Sequence, residues 1–118
     1  MKDINILKSN QVQVDEAIEL LGDLETYEDL LNDFLEEAES RIDNLEEYYK
    51  NEDMENYAIL VHTIKSDSKY LGFDKLADIA LEHQLRSEKN DLDYIKKDYT
   101  KLVEEFKKII TIISEYFK

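Results

Sequence analysis

From Leu92 to Tyr116 the apolar residues recur at alternating intervals of three and four: Leu92, Ile95, Tyr99, Leu102, Phe106, Ile109, Ile113 and Tyr116. A β-strand repeats every second residue, so this period belongs to a helix with one buried stripe. Sustained 3.5-residue spacing also asks for neighbours that run nearly parallel or antiparallel to it. The chain has no proline, and glycine only at 22 and 72. Helices can therefore run uninterrupted, with the two glycines as punctuation. The first constraint on the fold is thus one helix over 92–117 that needs companions of similar length.

The rest of the chain supplies them. Residues 1–11 read as a loosely packed lead-in, with Ile4 and Leu7 placed to dock. A short helix follows over 13–21, with Val14, Ala17, Ile18 and Leu21 on one face and Gly22 just past its end. Asp23 suits the N-cap of a helix over 24–50 with the stripe Tyr27, Leu31, Phe34, Ala38, Ile42, Leu45 and Tyr49. Asn51-Glu52-Asp53 is a turn, and Asp53 caps the next helix, which Gly72 ends. Asp74 is expected to cap a helix over 75–89 that buries Leu76, Ala77, Ala80 and Leu85. The expectation is an all-α fold over 1–118 as one domain. It is an up-down-up-down four-helix bundle with a short additional N-terminal helix as a lid.

Composition narrows the function. The net charge of −14 opposes binding to nucleic acid and to anionic membrane surfaces. No apolar run approaches the roughly 20 residues of a membrane span, and Met1-Lys2-Asp3-Ile4 lacks the apolar core of a signal peptide. Cysteine is absent, which removes disulfides and thiol chemistry. A cytoplasmic monomer is expected. A metal bundle would need Glu three residues before each ligating His, but Ile59 precedes His62 and Ala80 precedes His83 at that interval. No metal and no cofactor is expected.

The chemistry concentrates in residues 58–72. Tyr57, Val61, Ile64, Ser68 and Leu71 form the buried stripe of this helix. At about 100° per residue, His62 sits roughly 130° from the stripe's centre, on the side that also carries Ala58, Lys65 and Lys69. Ile59 and Ser66 lie close beside it. A neutral imidazole is a nucleophile near neutral pH. No serine or cysteine paired with a carboxylate stands beside it to complete an acyl-transfer triad. It can instead accept a phosphoryl group, which brings close to two negative charges and three acceptor oxygens. Lys65, one turn on, can meet those oxygens. Ala58 and Ser66 leave room for a partner. The plain alternative is a surface histidine beside two solvated lysines.

His62-Thr63-Ile64-Lys65-Ser66 followed by Leu71-Gly72 resembles the signature of histidine-containing phosphotransfer (HPt) domains. That pattern is His, two residues, Lys, usually Gly, then Leu-Gly nine and ten residues after the His. The likeness reaches from Val14-Asp15-Glu16-Ala17 through Tyr27 and Phe34-Leu35 to Ala77–Leu85, about residues 12–90. It implies a helical bundle whose histidine carries a phosphoryl group between the aspartates of receiver domains. His62 is then the phosphoacceptor through Nε2, and Lys65 steadies the phosphoryl group. Ala58, Ile59, Ser66, Lys69 and Gln84 belong to the docking face, and Gln84 is placed to reach the imidazole. His83 reads as an ordinary helix histidine.

Two positions depart from the pattern: Ser66 stands for Gly, and Lys69 for a small residue. Receiver domains of response regulators and a hybrid histidine kinase are the implied partners, and the Mg²⁺ of the reaction belongs to the receiver. With no nucleotide-binding glycine loop, the chain is expected to carry phosphate without making it from ATP. The rival reading is a non-catalytic helical-bundle adaptor that binds a signalling partner and takes no phosphate.

Overall fold

The structure is a computed structural model that describes residues 2–118. The predicted stripes become six helices in chain order: α1 (Ile4–Ser9), α2 (Val14–Leu21), α3 (Leu24–Lys50), α4 (Met54–Leu71), α5 (Asp74–Glu88) and α6 (Leu92–Phe117). No strand occurs among the described residues. Connections of two or three residues join α3 to α4, α4 to α5 and α5 to α6, so each turns back along its predecessor. α6 closes the ring against α3, giving the up-down-up-down bundle. None of these helices is long and apolar enough to cross a membrane.

The caps follow local chemistry. Asp3, Asp23, Asp53 and Asp91 each accept a backbone N–H of the first turn of α1, α3, α4 and α6, at 2.8 to 3.2 Å. Asp74 does not cap. It is the first residue of α5, and Phe73 holds the cap position without a side-chain bond. The reason lies at the end of α4. Gly72 adopts a left-handed conformation, its N–H reaches Lys69 O at 3.3 Å, and the Phe73 N–H reaches Ser68 O at 2.8 Å. This tight closure leaves only Gly72 and Phe73 between the helices and draws Phe73 into the core, where its ring meets Phe34 at 5.7 Å.

Gly72 is required twice over. Its φ is +86°, and a Cβ there would lie 2.6 Å from the carbonyl oxygen of Gln13. That close approach lets the Gln13 N–H donate to Gly72 O at 3.0 Å. α2 is thereby tied to the end of α4, and it packs on both α3 and α4.

The lead-in corrects one expectation. Residues 4–9 form a helix that packs on α6, and Leu7 is fully buried. The bundle thus carries two short N-terminal helices. α3 and α6 are the longest elements, and Leu7 of α1 fills the core beside α6. Leu85 is a second correction, since it is 43% exposed. The inward face of α5 is set by Leu76, Ile79, Ala80, His83 and Ser87 instead. Inside the bundle Tyr27, Leu31, Phe34, Tyr57, Ile64, Leu76, Ile95, Leu102, Phe106 and Ile113 share one continuous core. Phe34 stacks on Phe106 at 5.5 Å.

Candidate functional site

Packing the Tyr57–Val61–Ile64–Ser68–Leu71 stripe inward turns His62 out to solvent. α5 runs alongside in the opposite direction and brings Gln84 to the imidazole: His62 Nδ1 and Gln84 Oε1 are 3.0 Å apart. The amide's other end is 3.3 Å from the Glu88 carboxylate, one turn further along α5. Together these contacts assign the protons. An ionised carboxylate only accepts, so the Gln84 NH₂ donates to Glu88 and Oε1 faces the ring. Oε1 can only accept, so His62 Nδ1 carries the proton. In the neutral imidazole Nε2 then keeps the lone pair, on an exposed side chain.

Around the imidazole the expected residues divide. Ile59 is 61% exposed, and Leu81 and Leu85 are exposed on α5 beside Gln84. These are exposed apolar side chains on the two helices that bear His62 and Gln84. Lys65 is half-buried one turn beyond His62 and forms no ion pair among the described residues. Ser66 is half-buried as well. Lys69 is exposed and faces Asp74 Oδ1 loosely at 3.7 Å, so its charge is partly offset.

Ala58 departs from expectation. It is buried in the seam between α4 and α5 and lines a shallow groove with Ile59, Ser87 and Glu88. The close packing of these two helices covers its single methyl group. A larger cleft of about 530 Å³ lies on the other flank of α4, toward α3, where Arg41 pairs with Glu37 at 2.6 Å and Asp67 at 2.8 Å. It contains neither His62 nor Lys65.

The family model for the Hpt domain matches residues 29–109, well over half of the chain. The chain belongs to the Hpt family. The match takes in α4 and α5 whole, together with His62, Lys65 and Gln84. Comparison with curated proteins and with solved structures found no match. Hpt domains are phosphocarriers of phosphorelays rather than kinases, and they interact with receiver domains and kinases.

Two features of this Hpt domain escaped the sequence reading. Glu88 orients the Gln84 amide, and its only trace in the sequence is the four-residue spacing that makes helix neighbours. His83 is no ordinary helix histidine. It is fully buried, with Nδ1 2.8 Å from the Tyr57 hydroxyl and Nε2 2.9 Å from Asp98 Oδ2. Burial pushes its pKa below the ordinary histidine value against the opposing pull of Asp98, which favours the neutral ring at pH 7. Nε2–H then donates to the carboxylate, and Nδ1 accepts the tyrosine O–H. His83 carries its proton on the nitrogen opposite to the one protonated in His62.

Proposed function

We propose that this Hpt domain is a phosphorelay intermediate that takes a phosphoryl group on His62 from a receiver aspartate and gives it to a second receiver aspartate. The observation that carries this reading is the 3.0 Å contact between His62 Nδ1 and Gln84 Oε1, which favours the tautomer of the neutral ring with its lone pair on Nε2, on an exposed side chain. The receiver's aspartyl phosphate, held with its own Mg²⁺, docks over α4. As the Nε2–P bond forms, the P–O bond to the aspartyl carboxylate breaks and the carboxylate leaves with the electron pair. The imidazole keeps its Nδ1 proton and becomes cationic, and that N–H still donates to Gln84. Lys65 neutralises the equatorial oxygens. Positioning and charge compensation do the work. Transfer to the second receiver is the same step reversed.

In this reading Ile59, Ser66, Lys69 and the seam over Ala58 meet the receiver. The chain works as one domain over residues 1–118, as a cytoplasmic monomer. The test is incubation with a phosphorylated receiver domain. Label should appear on the Hpt chain, be lost in acid and survive base, as a phosphoramidate requires. His62→Gln should take none while keeping its helicity. Binding of the receiver without label on His62 would instead establish the adaptor reading.

A further inference from the structure

His62 and His83 lie on opposite sides of the α4/α5 seam, and each is bonded across it. On the solvent side His62 meets Gln84. On the core side Tyr57, a turn and a half before His62, meets His83, the residue next to Gln84. Asp98 extends the inner contact to α6. The Ser87 hydroxyl donates to the His83 carbonyl at 2.7 Å, within α5 itself. α5 is thus pinned from within by a polar chain that spans three helices, one step along the backbone from the amide that holds the nucleophile.

A buried polar chain is directional where apolar packing is not. Leu76, Ile79 and Ala80 would tolerate a rotation of α5 by several degrees with little loss of contact. The Tyr57 O–H to His83 Nδ1 and the His83 Nε2–H to Asp98 bonds would not, because an unpaired buried donor or acceptor is costly. A rotation of α5 about its own axis also carries Gln84 Oε1 off the line of the His62 N–H. We propose that His83 is a positioning residue for phosphotransfer: the Tyr57–His83–Asp98 chain sets the rotation of α5 and thereby holds Gln84 against His62 Nδ1. The proposal rests on His62 being the phosphoacceptor. The nitrogen that carries the His62 proton is a readout that does not depend on it.

The experiment pairs two measurements on the full chain. Long-range ¹H–¹⁵N spectra report which ring nitrogen of His62 is protonated. Single-turnover transfer from a saturating phosphorylated receiver reports the chemical step. The parent should show His62 protonated at Nδ1. His83→Leu, and Tyr57→Phe which removes only an oxygen, should each give a mixture of the two tautomers. Each should slow transfer about three- to tenfold, the worth of one hydrogen bond. In a Gln84→Ala background the same changes should slow it no further, because their effect runs through Gln84. Asp98→Asn keeps an acceptor for His83 and should retain the parent tautomer, whereas Asp98→Ala should not.

An unchanged His62 tautomer in folded Tyr57→Phe and His83→Leu would overturn the proposal. So would equal slowing with and without Gln84. If the parent takes no label at all, the phosphoacceptor assignment fails while the ring spectra still decide the positioning role.

Discussion

Replacing Gly72 by alanine tests how the end of α4 is built. Two penalties combine there. A non-glycine residue in the left-handed region costs about 1–2 kcal/mol. The added Cβ would also lie 2.6, 2.8 and 2.9 Å from O, C and N of Gln13, all of them backbone atoms. Gln13 must then retreat, and its hydrogen bond to Gly72 O, worth about 1 kcal/mol, is lost with some packing of α2. The total is about 2–4 kcal/mol. At about 4 °C per kcal/mol for a domain near this size, Tm should fall by about 8–16 °C.

Gly22→Ala is the built-in control. Gly22 has φ +109°, but a Cβ there meets nothing within 4 Å. It carries backbone strain alone and should cost about 1–3 kcal/mol. Urea unfolding of the parent and both variants gives the totals, and hydrogen exchange at the Gln13 amide locates the close approach. Full protection of the Gln13 amide in Gly72→Ala, or an equal loss of its protection in Gly22→Ala, would refute the close-approach argument.

Four further outcomes are expected. Lys65→Ala should slow transfer at saturating receiver by roughly tenfold or more, the worth of a charge-assisted contact, with docking less affected; a rate equal to the parent's would leave Lys65 merely solvated. Lys69→Ala should weaken receiver docking and reduce its salt dependence with little change in the saturated rate, because an exposed charge at the rim acts on encounter; a large fall in that rate with unchanged affinity would move Lys69 to the phosphoryl group. Ser68→Ala should stabilise the fold by about 1 kcal/mol or leave it unchanged, since the Ser68 hydroxyl is buried with no partner among the described residues; denaturant titration decides. Because burial depresses the His83 pKa from 6.5, an unfolded chain binds a proton there that the native one refuses. Stability should be full above pH 6.5 and fall as the pH drops below it toward the native pKa, and His83→Phe should flatten that slope.

Much of the bundle was legible because its signals were periodic and local. The bounds of α3 follow from an uninterrupted stripe between Asp23 and the turn at 51–53, and α6 follows its stripe from the Asp91 cap to Phe117, with no proline or internal glycine to disturb either. α1 was not legible. Six residues carry too short a stripe to declare a helix, and Leu7 gains its burial from α6 at the far end of the chain. The turns hid a similar point. Gln11, Glu52 and Asn90 take φ of 66°, 53° and 56° in the short turns before α2, α4 and α6, although none of them is glycine.

At the site, His62, Lys65 and Gln84 could be named because the first two share a helix face and the third rests on family likeness. The orientation of the Gln84 amide needed Glu88 in space. The His83 chain joins residues 26 and 15 positions apart, and no local pattern records such a separation. Ala58 and Leu85 went astray for different reasons. Leu85 lies nine residues from Leu76, about 180° round the helix, so phase alone sets it on the outer face. For Ala58, phase says which residues share a face, but the width of the buried face depends on how closely α4 and α5 approach.

The extent of the family match bears on where such a domain can be cut. Residues 29–109 contain α4 and α5 entire, yet the core does not stop at those limits. Leu7, Val14 and Tyr27 lie before them, and Ile112, Ile113 and Tyr116 after them, all buried. Tyr27 also donates its hydroxyl to Leu71 O at 2.7 Å, at the last residue of α4. A fragment trimmed to the matched span would keep every reactive group and lose the end wall of the bundle. It should populate open states through its truncated end long before the seam beside His62 gives way. Boundaries for isolating or grafting this module therefore follow the core, from α1 to the end of α6, and not the signature.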